Sequence, residues 1–421
     1  MDHIFRKIIV IIFCTAVFCT ADAQRLLPEI KLGNKLYFCN EPAIAINPNN
    51  IKYEVIATNK SHIFYSKKNG KKFKHYKAKS SLGVYGDPVL LYNNNNICFF
   101  VHLSQDKTKD WGESFDQIVV QKSASNGRQW NDGAGVGKNG KMHDKAWISI
   151  DESKHSKYEG NVYISWTQFD KYESKNEEDS SRILFAYSKD DANTFSKPVV
   201  VSDRGGDCTD GDSTMEGATT CTGKNGEVYI AWAGFEKIYF DKSMDGGNTF
   251  GPDKVIMNCP KGWDLDVPGF FRTDGLPFLS SNNEGELYVC TAFEDNGFNK
   301  VYVSESKDMG TTWTAPYALL YKDSTHYFMP HAYLDKTTGN YYVIYYRQNK
   351  NNVDVMLSYK LKNVNEYKHL RVNRYTFLSP GVARFMGDYI NVCAVGNTIA
   401  CVWTEPKGIA TIVKTRRVIL D

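Results

Sequence analysis

Seven short apolar segments along the chain are each introduced by residues able to do chemistry. They are Glu41, Asp87, His143 with Asp144 and Lys145, Glu216, Arg272 with Asp274, His326 with His331, and Arg384 with Asp388 and Tyr389. A second set, His102, Asp170, Glu294, Arg347 and Glu405, closes the segments that follow. Two carboxyl groups, one held protonated by its surroundings, cleave glycosidic bonds by acid/base or nucleophilic catalysis. Glu216 with Tyr389 reads as a base and its nucleophile, because a phenol with a pKa of about 10 needs a carboxylate to take its proton. Asp87 or Asp144 reads as the general acid. Arg272, Arg347 and Arg384 read as a clamp that would hold a sugar carboxylate or sulfate through bidentate bonds. His143 with Tyr389 offers a different chemistry, proton abstraction beside a uronate carboxylate, which would make a lyase. Trp263, in the longest connecting segment, either stacks on a sugar ring or anchors its loop, and His331 joins the substrate-binding set.

Metal chemistry has less to stand on. Asp207, Asp210 and Asp212 have oxygen-ligand spacing for a structural calcium ion, but the pattern is not an EF-hand and a plain solvated turn is the preferred reading. No His-x-x-x-His pair accompanies the histidines, so neither a catalytic metal nor another cofactor is expected.

Side chains this far apart in sequence meet only if a repeated element carries each to one place. Ser243-Met-Asp245-Gly-Gly247-Asn-Thr-Phe250 has near-copies at Ser66 to Phe73, Ser123 to Trp130, Ser188 to Phe195 and Ser306 to Trp313. Each has the composition of a tight turn between two strands, in which Ser and Asp accept from backbone N–H groups and Gly takes a positive φ. The seven apolar segments begin at Glu41-Pro, Asp87-Pro, Asp144-Lys, Glu216-Gly, Gly275-Leu, Met329-Pro and Gly387-Asp, and each is followed by a more hydrophobic strand such as Val162-Tyr-Ile-Ser-Trp. Four strands repeated at this spacing predict an all-β fold, a β-propeller of four-stranded antiparallel blades. Seven blades fit best, with six as the alternative. The last repeat runs out after its third strand, so the segment from Leu26 to Phe38 is expected to supply the outer strand and close the ring. The long connections, 131–143, 202–215, 252–274 and 376–386, gather on one face, where the site should lie.

The Ser-x-Asp-x-Gly-x-Thr-aromatic turns resemble the Asp boxes, or bacterial neuraminidase repeats, of the sialidase superfamily, and the inner-strand segments resemble secreted sialidase-like propellers of polysaccharide-degrading bacteria. The resemblance implies an exo-acting glycoside hydrolase that removes an acidic sugar from a complex glycan. By residue type it casts Glu216 and Tyr389 as the nucleophile pair and Arg272, Arg347 and Arg384 as the carboxylate clamp. It departs from the family at the amino-terminal Arg-Ile-Pro motif, where this chain reads Asn40-Glu-Pro. A polysaccharide lyase and a propeller that only binds glycans are the alternatives.

The chain has 421 residues, 42% hydrophobic and 14% aromatic, with a formal charge of +3. That balance suits strands and turns in one large array occupying 24–421, and the lysines read as scattered, which gives nucleic-acid binding no support. Residues 1–23 read as a signal peptide, with Arg6 and Lys7 before an apolar run too short to span a bilayer and Ala21-Asp22-Ala23 as its cleavage site. The protein is therefore expected to be secreted or periplasmic, with a glycan or polysaccharide as its partner. The eight cysteines beyond that point are even in number, with Cys208–Cys221 and Cys39 with Cys393 or Cys401 as candidate disulfides. Oligomeric state is not readable.

Overall fold

The computed structural model describes residues 24–33, 39–320, 322 and 324–420. The expected signal peptide, and residues 34–38 of the expected closing segment, lie outside the described residues. Seven antiparallel sheets follow one another along the chain, their inner strands at Ala43–Ile46, Val89–Tyr92, Met142–Ile150, Glu216–Thr222, Phe278–Ser281, His326–Leu334 and Asn391–Val395. Each inner strand packs against those of the blades on either side, and the seventh against the first, so the sheets close into a seven-bladed ring. The second strands explain the packing. Val162–Phe169 and Val228–Gly234 are buried at every position, as a sheet covered on both faces requires.

The ring is closed by the amino-terminal end. Gln24–Leu26 and Ile30–Leu32 both pair antiparallel with Ala410–Leu420, the third strand of blade 7. At the same seam the buried Arg417 of blade 7 meets the buried Glu54 of blade 1 at 2.6 Å.

The repeated turns are wedges between blades. In the turn of blade 4, Ser243 Oγ accepts from Gly247 N at 2.9 Å, and Asp245 accepts from Thr249 N at 2.9 Å and from its hydroxyl at 2.7 Å. The same bonds recur around Ser188 and Asp190 and around Ser306 and Asp308. In two of the turns the closing aromatic residue packs edge-on against a strand of the preceding blade, Phe250 on Phe185 and Trp313 on Phe240. Blade 3 has no glycine in this turn; Ala192 takes the left-handed conformation instead, at φ 57.

The eight cysteines of the described residues, Cys39, Cys98, Cys208, Cys221, Cys259, Cys290, Cys393 and Cys401, are buried free thiols, which corrects the expected disulfides. Cys208 packs in the core between blades 2 and 3 whereas Cys221 packs between blades 4 and 5. Cys39 and Cys393 share one apolar cluster without bonding. No helix among the described residues is long and apolar enough to cross a membrane.

Candidate functional site

At the start of the inner strands the backbone departs from a regular ladder. Glu41, Asp87, Lys145, Gly217 and Met329 all have positive φ, between 48 and 71. In blades 3, 4 and 6 the register slips at this point, between Asp144 and Trp147, Glu216 and Thr219, and Phe328 and His331. A bulge of this kind re-aims a side chain at a cost of roughly 1–3 kcal/mol for each non-glycine residue held left-handed. Its repetition turns Glu41, Asp87, Asp144 and Glu216 toward the axis. Asp274 and Asp388 reach the same place from the connections before blades 5 and 7, and Asp210 from the loop before blade 4.

These seven carboxyl groups surround two cations, Lys145 and Arg272. Arg272 Nη1 lies 2.6 Å from Asp210, and its Nε lies 3.3 Å from both Asp274 and Asp388. Lys145 Nζ sits 4.1 Å above the centre of the Tyr389 ring. Tyr389 donates its hydroxyl to Asp87 at 3.3 Å, and Tyr172 donates to Asp210 at 2.5 Å. The carboxyls also bond each other, Asp87 with Asp144 and Asp210 with Glu216. Glu41, Glu216 and Asp274 are almost fully buried, whereas Asp87, Asp144, Asp210 and Asp388 keep part of their surface in the mouth.

Seven acids cannot all ionise beside two cations, and the environment decides which do. Burial, then the charges of Asp87 and Asp210, hold Asp144 well above the usual carboxylate range. Burial, then Asp210 and Asp144, do the same to Glu216. Glu41 is raised by burial and by Asp87 and Asp388, and Asp274 is pushed up to about 8 by burial and Asp388. Asp210 goes the other way. Burial opposes its charge, but Arg272 and the hydrogen bonds from Glu216 and Tyr172 outweigh it and hold the group below its ordinary value. The mouth thus sets carboxyls raised by burial beside one held low by Arg272, the combination that acid-assisted bond cleavage needs.

Asp87, Asp144, Glu216, Tyr389 and Arg272 do come together. Glu216 and Tyr389 are not a pair: Glu216 bonds Asp210, whereas the phenol faces Asp87 and Glu41. Burial and those carboxylates raise the Tyr389 pKa well above 10, so it is a hydrogen-bond donor and not a ready nucleophile. The three-arginine clamp is not assembled. Arg347 is bound to Asp354 at 2.5 Å, and Arg384 donates to the carbonyls of Pro380 and Gly408. His143 is fully buried, accepting from Trp166 Nε1 at 2.5 Å, and burial lowers its pKa to about 4, so it cannot meet a substrate. Trp263 is 1% exposed and anchors its loop in the core instead of stacking on a sugar. His331 lies deeper on the axis, between Trp147 and Phe278 and bonded to Asn391 at 3.0 Å, and plugs the channel. Below it a cavity of ≈ 380 Å³ opens at the opposite mouth, away from the acids. Asp207 accepts from Thr209 and Thr214, and Asp212 from Asp264 N, so with Asp210 turned to Arg272 the three aspartates serve separate partners.

Sequence reasoning missed the rim. Trp111, Phe271 and Phe385 are 52%, 62% and 37% exposed. Trp111 stands edge-on to Tyr172, and Phe271, next to Arg272, stands edge-on to Phe385. Only the neighbours of Asp210 and Arg272 in space reveal them, since all three lie in connections without a repeat.

No family model matches the chain, and no curated protein matches it. Solved structures do. A protein of unknown function from Dyadobacter fermentans aligns with TM-score 0.53 and 11% identity over 94% of this chain and 99% of that one. A mutant of the NanB sialidase from Streptococcus pneumoniae aligns at 0.52 and 10% over 87% and 82%. A polysaccharide lyase, the PL25 ulvan lyase, aligns at 0.52 and 10% over 91% and 95%. At such identities the likeness is one of fold: this chain is a propeller built as those sialidase and lyase structures are built.

Proposed function

We propose that the protein is an exported, carbohydrate-active propeller that hydrolyses glycosidic bonds at the mouth formed by the inner-strand starts. The observation that carries this reading is the meeting, beneath an exposed aromatic rim, of Asp144 and Glu216, both raised, with Asp210, which Arg272 holds low. Asp144, raised and half-buried, protonates the leaving oxygen. Asp210, kept ionised by Arg272 and Tyr172, acts on the anomeric carbon, directly or through water. Tyr389 steadies Asp87, and Trp111, Phe271 and Phe385 offer apolar faces to sugar rings. Because Arg272 is already matched by the ionised Asp210 and its remaining nitrogen is taken up by Asp274 and Asp388, the sugar at this floor is neutral, not the acidic sugar the sequence implied.

A panel of neutral and acidic polysaccharides, followed by reducing-end release, tests the reading. Cleavage of a neutral linkage that falls by about 10²–10⁴-fold in Asp144→Asn and in Asp210→Asn supports it. Retention of glycans without turnover would leave a binding propeller, and an ultraviolet-absorbing unsaturated product would make the protein a lyase.

A further inference from the structure

We propose that the outer edge of blade 1 is a docking strip for an anionic polysaccharide, separate from the mouth and leading to it. Lys60, Lys67, Lys68, Lys71, Lys72, Lys74, Lys77 and Lys79 fall within one strand-turn-strand unit, and the chain carries no acidic residue between Glu54 and Asp87. All eight lysines are exposed, and among the described residues none forms an ion pair. The even scatter of charge read from the sequence is corrected here: the fold puts this run on one edge.

The placement is specific. Phe73–Lys77 is the outermost strand of its sheet, paired only with His62–Ser66. Lys67, Lys68, Lys71 and Lys72 lie in the turn at one end of that strand, Lys74 lies along it, and Lys77, Lys79 and Lys60 lie at the other end. From Lys71 to Lys79 an extended chain covers roughly 25 Å at ~3.3 Å per residue, several sugar units of a linear polymer. Lysine on an edge strand also discourages edge-to-edge pairing, which covers Lys74 and Lys77 as it does the basic residues of the outer strands Lys254–Asn258 and Tyr367–Arg371, but not Lys67, Lys68, Lys71 and Lys72 in the turn. The strip ends beside the acids: Asn59, adjacent to Lys60, accepts from Asp87 N at 3.1 Å.

The partner is a polymer with closely spaced carboxylates or sulfates. Phe73 and Tyr76 of the edge strand are half-buried, and the exposed His75 ring is held by His62 at 2.9 Å, so the strip offers no free apolar ring to stack on bases or enter a bilayer. The choice of a polysaccharide also rests on the proposed glycan activity. The acid-rich mouth repels anionic groups while the strip attracts them, which suits a glycan whose charged and neutral sugars are held at different places.

Affinity electrophoresis of the full chain in gels containing polygalacturonate, dextran sulfate or neutral dextran tests this, with duplex DNA and phosphatidylglycerol vesicles as competitors. The comparison variant carries Lys67→Gln, Lys68→Gln, Lys71→Gln, Lys72→Gln, Lys74→Gln and Lys77→Gln, all on exposed positions, with an unchanged melting temperature as the control for folding. The expected result is retardation by polygalacturonate or dextran sulfate but not dextran, weakened by salt and reduced about tenfold or more in the variant. The two anionic gels tell carboxylate from sulfate. Equal retardation of parent and variant, or stronger binding to DNA or vesicles than to both polysaccharides, overturns the proposal. Because the variant leaves Asp144 and Asp210 in place, its cleavage of a short neutral substrate should be unchanged, so failure of the strip and failure of the hydrolase reading are separately visible.

Discussion

Asp274 shows how the acid ring writes itself into stability. It is almost wholly buried, with Oδ2 lacking a hydrogen-bond partner, and its pKa is pushed up to about 8. An acid whose pKa is higher folded than unfolded binds its proton more tightly in the native state, so native stability falls as pH rises from about 4, the unfolded value, to about 8. Glu41, Asp144 and Glu216 shift in the same direction. The protein should therefore melt at a higher temperature at pH 5 than at pH 8, and Asp274→Asn should flatten that dependence; thermal denaturation across pH checks both. Activity should follow the opposite tendencies of its two working acids, persisting at mildly acidic pH and falling on the alkaline side as Asp144 loses its proton. Residue types at strand starts were enough to find Asp87, Asp144 and Glu216, because each follows the same break in the repeat. They were not enough to pair them. Which carboxyl faces Tyr389, and whether Arg347 is free, depend on neighbours contributed by other blades.

The turn elements were readable because their chemistry is local. Ser, Asp, Gly and Thr at fixed offsets make their bonds within a few residues, and the structure shows those bonds. What they wedge against was not readable. A Cβ on Gly247 would sit 2.2 Å from Phe185 Cε1 and would also have to accept φ 87. Gly247→Ala should thus cost about 2–3 kcal/mol, from strain and overpacking together, measured as a lowered denaturation midpoint with activity at permissive temperature retained. The long connections were harder. Trp263 stands in one of them as a plausible sugar platform, yet it folds inward, and Trp111 and Phe271 take the exposed positions. Loop residues without periodicity give no sign of which way they face.

At the scale of the whole ring, the count of seven and the closure by the first strands both followed from the inner-strand repeat and the missing fourth strand of the last blade. The expected disulfides did not follow, because an even number of cysteines says nothing of which inter-blade core each one enters. The seam itself is held by Arg417 and Glu54 under the turn glycine Gly70, whose Cβ would lie 2.8 Å from both. Burial raises the Glu54 pKa even against the pull of Arg417. Such a pair is costly to break from one side: Arg417→Met should destabilise by about 3–5 kcal/mol, and the double change Glu54→Leu with Arg417→Met should recover most of it. Chemical denaturation of the parent and the two variants measures the difference, and equal losses in single and double variants would contradict a desolvated ion pair at the seam.

The account's central claim is that ionisable groups gathered on the axis from separate blades cleave a glycosidic bond. Reducing-end release from a neutral polysaccharide by the parent protein and by Asp144→Asn, at matched folding and mildly acidic pH, tests it most directly. The account predicts turnover by the parent and a loss of at least about a hundredfold in the variant; equal rates in the two proteins would contradict it.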